Sequence, residues 1–447
     1  MTDGRHYPSH LEILDRALGE ALEHAGRQGV KLDGVLFHAG SLETYHRDDR
    51  VVIFQPTAHF RRWVPALEGP EHVVLARPGS KPLVVRVSPT DYWYDTAPQP
   101  ESYWESSVEL AEVASFDEVS GVIGGVERLA YVGSSLRSAE VIGIPADRVE
   151  PEALMAPLDW HRAYKTEHEI ALTRRAAESA AAGHRRAREV FEAGGSEREI
   201  HFAYLAASDR LEWEIPYETI IAFNEKGAIL HYQLKRGGEV APGRSLLIDA
   251  GSSFEGYAID VTRTWASADA HPVFRELVKG VDSYERDLVA LVTSGRPYLE
   301  IHVEAHRATA RLLSELGILR VNAEEAFDRG LTRPFLPHGV GHQMGLQVHD
   351  VGGHQAGPEG GTIAPPEEYP FLRNTRIIEP GHLLTIEPGI YFNPTLLYPL
   401  QKESEGKAMD WDLVEQMMPL GGIRIEDNVV CREAGPEDLT RELIPGP

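Results

Sequence analysis

The chain has a single cysteine, Cys431, so it can form no intrachain disulfide and no thiolate cluster. Any metal it holds must be bound through oxygen and nitrogen. Basic residues are in the minority, 44 Lys and Arg against 69 Asp and Glu, for a formal net charge of −25. Binding to phosphate backbones or anionic lipid needs clustered Lys and Arg. No such stripe is visible, so no nucleic acid and no membrane is expected as a partner. A run of about eighteen consecutive apolar residues, the length of a membrane span, is also missing. The first residues, Met1-Thr2-Asp3-Gly4-Arg5-His6, carry no apolar h-region, and the expectation is a soluble, cytoplasmic protein.

What is present suits folding. Hydrophobic residues make up 42% and charged residues 25% of the 447, too apolar for a disordered chain and too long for one ordinary core. Two domains are expected, residues 1–158 and 159–447. In the first, Leu11, Ile13, Leu14, Leu18, Ala21 and Leu22 recur at helical spacing between Ser9 and Gly29. Leu32 to Phe37, Val73 to Ala76, Leu83 to Val87 and Leu129 to Val132 read as strands, so this domain is α/β. Proline-bearing Pro151 to Pro157 reads as a linker. A long helix then starts at Thr166 and stops at Gly194-Gly195, and Ser196-Glu197-Arg198-Glu199 forms a capping box for the next. The aromatic cluster Tyr92-Trp93-Tyr94 with Tyr103-Trp104 reads as core or subunit contact ahead of a lid over the active site.

Four segments carry chemistry. Ser245 to Gly251 and Tyr257 to Trp265 flank turn material at Ser252 to Gly256 and read as a hairpin. A turn centred near Phe254 sets Asp249 opposite Asp260, both on one face. A carboxylate closing the apolar run Leu246-Leu247-Ile248 is costly to bury without a cation. The second segment, Pro337 to Asp350, holds His338, His342 and His349 among glycines, a pattern suited to a backbone passing close to an ion or substrate. The third and fourth are strands, one ending in Glu387-Pro388-Gly389 and one on which Arg424 and Glu426 share a face by the period of two. By contrast His302 and His306 stand at i, i+4 without the glutamate of the H-E-x-x-H pattern, and read as a solvated helix face.

Asp249, Asp260, His342, Glu387 and Glu426 thus form a hard oxygen and nitrogen set suited to Mn²⁺, Co²⁺ or Zn²⁺. Five ligands with four carboxylates are too many for one tetrahedral zinc, but serve two ions about 3.5–4 Å apart. Such a pair can activate a hydroxide and polarise a scissile carbonyl, which is hydrolase chemistry.

In order and spacing the four segments resemble the pita-bread metallopeptidases: methionine aminopeptidase, aminopeptidase P and prolidase. The resemblance is nearest to bacterial Xaa-Pro dipeptidases (prolidases), including the branch named organophosphorus acid anhydrolase. It implies an α/β creatinase-like N-terminal domain followed by an α+β pita-bread domain, two divalent ions with Mn²⁺ the first choice, and a homodimer. It makes Glu387 both ligand and acid/base, Asp260 and Glu426 bridges, and His349, His338, His231 and Arg424 further members of the catalytic set. Arg373 is implied to bind the proline carboxylate, with Tyr217, Tyr298, Leu372 and Asp49 at substrate positions. The implied reaction is metal-hydroxide attack on the carbonyl before proline in a small dipeptide, with organophosphorus hydrolysis as a side activity. The alternatives are an aminopeptidase P acting on longer peptides and a metal-free binding module, the latter disfavoured because no ligand of the five is missing.

Overall fold

Tyr7, Leu11, Leu14, Leu18, Ala21 and Leu22 lie on one stripe of helix α1 (Tyr7–Arg27), and all are buried. Each leucine contributes roughly 2 kcal/mol when fully withdrawn from water. The computed structural model describes residues 4–93, 102–133, 135–238 and 243–447. They divide into two units, Met1–Leu172 with Gln355–Thr362, and Thr173–His354 with Ile363–Pro447.

In the first unit β1 (Gly34–His38), β2 (Val73–Ala76), β3 (Leu83–Val87), β4 (Glu109–Val113) and β5 (Leu129–Val132) form a mixed sheet in the order β4-β3-β2-β1-β5. The outer pairs β3–β4 and β1–β5 are parallel and the inner ones antiparallel. Short helices α2 (Ala58–Trp63), α3 (Val119–Ile123) and α4 (Leu136–Ile142) accompany it. Strand β4 escapes a sequence reading because Glu109, Leu110 and Glu112 are exposed on this edge strand.

The expected linker at Pro151 to Pro157 is instead helix α5 (Glu152–Arg162), with Pro151 as N-cap and Pro157 inside. Leu154, Ala156, Pro157 and Leu158 are buried, and Leu154 and Leu158 share a core with α1. That burial offsets the hydrogen bond a mid-helix proline removes. Of the aromatic cluster, Trp104 is core, whereas Tyr92 and Trp93 are 85% and 75% exposed, which rules them out as core; Tyr94 lies outside the described residues.

Helix α6 (Glu167–Glu192) runs on into the second unit and is followed by α7 (Glu197–Ser208), opened by the capping box of Ser196 and Glu199. Strands β6 (Ile220–Phe223), β7 (Ser245–Asp249) and β10 (Thr262–Ala266) make an antiparallel sheet centred on β7. β8 (Ser252–Phe254) and β9 (Tyr257–Ile259) extend the β7–β10 hairpin to its tip. After α8 (Pro272–Val289), α9 (Tyr298–Glu315) and the pair β11 (Gln355–Gly357) and β12 (Gly360–Thr362), which is grouped with the first unit, come β13 (Leu383–Ile386), β14 (Gly389–Tyr391), β15 (Gly422–Arg424), β16 (Asp427–Arg432) and β17 (Gly435–Asp438). β16 pairs with both β13 and β17, and β14 pairs with β15. All are antiparallel.

His302 and His306 are not on a solvated face. They are 2% and 1% exposed, because the α9 face they share with Tyr298, Ile301, Ala305 and Thr309 is the one that packs inward. Both rings lie against Tyr369, and His306 Nδ1 is 2.9 Å from Thr332 Oγ1.

Burial pushes His302 down to about 4, His306 to about 2, and in the first unit His72 to about 4 and His168 to about 3. Each ring stays neutral in the fold at pH values where the unfolded chain takes a proton. Its contribution to stability is therefore complete above about 6.5 and is lost as pH falls from there toward the depressed value. In a histidine-selective NMR titration the four rings are expected to show no protonation between pH 8 and about 5. A ring titrating near 6.5 contradicts this.

Candidate metal centre

The hairpin register differs from the expected one. Glu255 and Gly256, with φ of 49° and 83°, form a two-residue tip between paired Phe254 and Tyr257. Positive φ at both central residues is the type I′ arrangement, whose twist matches the strands. Asp249 consequently faces Thr262, not Asp260. The shift is by two residues, so the period of two still puts both carboxylates on one face, as diagonal neighbours. Asp260 has left the ladder: its N–H donates to Asn428 Oδ1 at 3.3 Å, and Asn428 Nδ2 donates back to its carbonyl.

His342 is presented by extended chain lying along β13. Its N–H donates to Thr385 Oγ1 at 3.0 Å, and its carbonyl accepts from Thr385 N–H at 3.0 Å. Gly341, at φ 150°, makes this approach possible, since a Cβ there would fall on the Thr385 carbonyl oxygen and the Tyr298 hydroxyl. Gly341→Ala is expected to cost about 2–3 kcal/mol through overpacking and backbone strain, and to weaken metal retention because His342 is the next residue. Unchanged thermal melting would show that the segment can give way. Glu387 follows β13, anchored by its N–H on the Val340 carbonyl at 2.8 Å, and Glu426 sits between β15 and β16 with its N–H on the Thr262 carbonyl at 3.0 Å.

These elements bring ligand atoms of Asp260, His342 and Glu426 within 4.8 Å of one another. His342 Nε2 lies 3.7 Å from both Asp260 Oδ2 and Glu387 Oε1, too far for direct hydrogen bonds and suited to a shared ion. Its Nδ1 is 2.9 Å from the Gln343 carbonyl, an acceptor only, so Nδ1 carries a proton and Nε2 is the nitrogen that would bind an ion on losing its own. Asp249 joins through Arg424, whose Nη2 donates to Oδ2 at 2.5 Å. Its Oδ1 and the Oε1 of Glu426 are buried with no hydrogen-bond partner among the described residues. Unmatched buried carboxylate oxygens are costly, and a dication satisfies them.

The electrostatics agree. Burial, then the charge of Asp260, pushes Asp249 up to about 6. Burial pushes Glu387 up to about 7 against the opposing charges of His342 and Arg424. Glu426 is raised well above the carboxylate range by burial and by Asp260 and Glu387. For Asp260, burial is outweighed by His342 and by the Tyr217 hydroxyl that donates to Oδ1, and the net shift is downward. A set of acids holding protons against their nature is one from which metal ions displace them. The donors present fit a divalent metal.

A hydrogen-bond chain orients Asp249. His338 Nδ1 faces the Gly339 carbonyl at 2.7 Å and so carries the proton, leaving Nε2 to accept from Tyr391 Oη at 2.9 Å. Tyr391 in turn accepts from Arg424 Nη1 at 2.8 Å, and Arg424 Nε donates to Thr262 Oγ1 at 3.0 Å. Burial first, then Arg424, pushes His338 down to about 3, so the ring is neutral. Arg424 therefore holds Asp249 in place. Tyr391 and Thr262 were not recognised in the sequence; neither stands in a segment rich in ligating residues.

Around this centre, the His349 ring centroid is 4.4 Å from that of His342. The His349 pKa is lowered by partial burial first, then by the charges of His342 and Arg373. His231 is exposed. Arg373 is exposed, its charge reaches His349, and it has no ion-pair partner among the described residues. Tyr298 and Leu372 are the expected substrate positions that lie deepest. Both are buried, Tyr298 with its hydroxyl on the Thr385 carbonyl at 2.9 Å and Leu372 in the core. Asp49 is exposed on the first unit.

The chain matches the model of metallopeptidase family M24 over residues 171–433, and that of the Xaa-Pro dipeptidase N-terminal domain over residues 5–160. It is 41% identical over 440 residues to an Xaa-Pro dipeptidase of Pectobacterium atrosepticum, covering 98% of both chains. To an Xaa-Pro dipeptidase of Serratia proteamaculans it is 39% identical over 439 residues, again 98% of each. Zinc-substituted aminopeptidase P from E. coli in complex with product shares the fold, with a TM-score of 0.70 at 24% identity over 95% of each chain.

Proposed function

The chain belongs to metallopeptidase family M24, and we propose that it is a binuclear Xaa-Pro dipeptidase. The observation that carries this reading is the grouping of Asp260, His342 and Glu426, with Glu387 3.7 Å from His342 and with Asp249 Oδ1 and Glu426 Oε1 buried and unmatched among the described residues. The exposed Arg373, whose charge reaches His349, supports narrowing the reading to dipeptides. Asp249, Asp260, His342, Glu387 and Glu426 would hold the ions, Mn²⁺ first, with Co²⁺ or Zn²⁺ as alternatives. When bound, two such ions supply Lewis acidity toward the scissile carbonyl and lower the pKa of water.

The protein's own residues do the rest. Glu387 accepts the proton of the attacking water and delivers it to the proline nitrogen. That nitrogen carries no hydrogen in the peptide and leaves as a secondary amine. His349, neutral near pH 7, donates its N–H to the oxygen on which negative charge develops. Arg424 and His338 keep Asp249 oriented, and Tyr217 does the same for Asp260. The Arg373 guanidinium pairs with the proline carboxylate. Phosphotriester hydrolysis is a side activity that the same donor set permits.

Elemental analysis of protein reconstituted with Mn²⁺ is expected to give two ions per chain. Dialysis against chelator should abolish Xaa-Pro hydrolysis, and Mn²⁺ should restore it. Protein that retains no Mn²⁺ and gains no activity from it belongs instead with metal-free binding modules.

A further inference from the structure

Strand β10 carries Thr262-Arg263-Thr264 directly after the ligand Asp260 and Val261, and each of the three side chains makes at least one hydrogen bond to the segment from Arg424 to Asp427. Among the described residues β10 pairs only with β7, and β15 only with β14, so no ladder there joins the hairpin to this segment. Side-chain bonds do most of that work. Thr264 Oγ1 donates to the Arg424 carbonyl and accepts from the Arg424 N–H, both at 3.0 Å. Thr262 Oγ1 donates to Glu426 Oε2 at 2.7 Å, and the Thr262 carbonyl accepts from Glu426 N–H at 3.0 Å.

Arg263 points to the opposite face and is fully buried. Its Nη1 donates to the carbonyls of Thr262 at 2.9 Å and Glu426 at 2.6 Å. Its Nη2 donates to Asp427 Oδ1 at 2.7 Å and to the Ile444 carbonyl at 2.5 Å, where Nε also donates at 3.0 Å. All five guanidinium N–H groups are used, and four of the five bonds end on backbone carbonyls. Such a fork fixes main-chain positions, which a lysine ammonium cannot do at three carbonyls and a carboxylate together.

We propose that Thr264 and Arg263 are positioning residues that set the spacing of Asp260 and Glu426, and thereby the affinity for metal, without touching an ion or substrate. The inference rests on the reading of Asp260 and Glu426 as ligands. Partners that hold ligands in place commonly govern metal affinity about 10–100-fold.

The test is Mn²⁺ binding by equilibrium dialysis with elemental analysis, applied to the full chain and to Thr264→Val, Thr264→Ser, Arg263→Lys and Asp260→Asn. Thr264→Val and Arg263→Lys should each weaken Mn²⁺ binding about tenfold or more. Thr264→Ser keeps the hydroxyl and should bind within about twofold of the parent. The electron paramagnetic resonance signal of the coupled manganese pair should alter in the first two and not in the serine variant. If Thr264→Val and Arg263→Lys bind Mn²⁺ as tightly as the parent, with or without earlier melting, their role is structural alone and the proposal falls. If Asp260→Asn also keeps parental affinity, the ligand reading fails and takes the proposal with it.

Discussion

Arg373→Ala is expected to lower kcat/KM for Xaa-Pro dipeptides about 100-fold while leaving metal content and melting unchanged. The size follows from losing a charge-assisted, two-pronged bond to the substrate carboxylate, worth roughly 2–3 kcal/mol. The residue is exposed and has no ion-pair partner among the described residues, so removing it breaks no contact that the fold needs. The loss should fall mainly on KM, because the proline carboxylate is bound alike in ground and transition states. Arg373→Lys should recover only part of it, since an ammonium cannot pair two oxygens in plane. Full activity in Arg373→Ala would move carboxylate recognition elsewhere.

The second large effect is at Glu426. Glu426→Gln keeps shape and the hydrogen bond from Thr262, but removes the charge that would join two ions. Activity should fall by about a thousandfold or more, a loss of roughly 4 kcal/mol of transition-state stabilisation, with less Mn²⁺ retained. Stability should move the other way. In the metal-free parent, burial and the nearby Asp260 and Glu387 force Glu426 to take up a proton on folding, at a cost the amide avoids. The metal-free variant should therefore melt above the metal-free parent by calorimetry. A variant that melts lower and keeps its activity would show that Glu426 is a structural ion-pair member.

Much of this centre was legible because its residue types are expensive to bury. Carboxylates at the ends of apolar runs, in Leu246-Leu247-Ile248-Asp249 and Leu383-Leu384-Thr385-Ile386-Glu387, announce a compensating charge before any fold is known. The shared face of Asp249 and Asp260 survived a wrong register because parity depends only on the period of two. The register itself was hidden, since the tip rests on Glu255 at positive φ, a residue that sends no turn signal. Other errors were of context. Pro157 and the pair His302 and His306 look unsuited to buried helix, yet each lies on a face whose neighbours go inward. Thr262, Arg263, Thr264, Asn428 and Tyr391 act through backbone atoms and through one another, and that role leaves no pattern in sequence. An arginine inside the otherwise uncharged strand Thr262–Ala266 was the one available hint.

The centre and the substrate pocket make separate claims, and the substrate claim is the narrower. It is tested most directly by giving Mn²⁺-reconstituted protein Ala-Pro and Ala-Pro-Ala side by side and following release of free alanine. A metal-dependent dipeptidase that grips the proline carboxylate cleaves Ala-Pro and leaves the tripeptide essentially intact. Equal cleavage of the two would contradict that account and favour an aminopeptidase acting on longer chains.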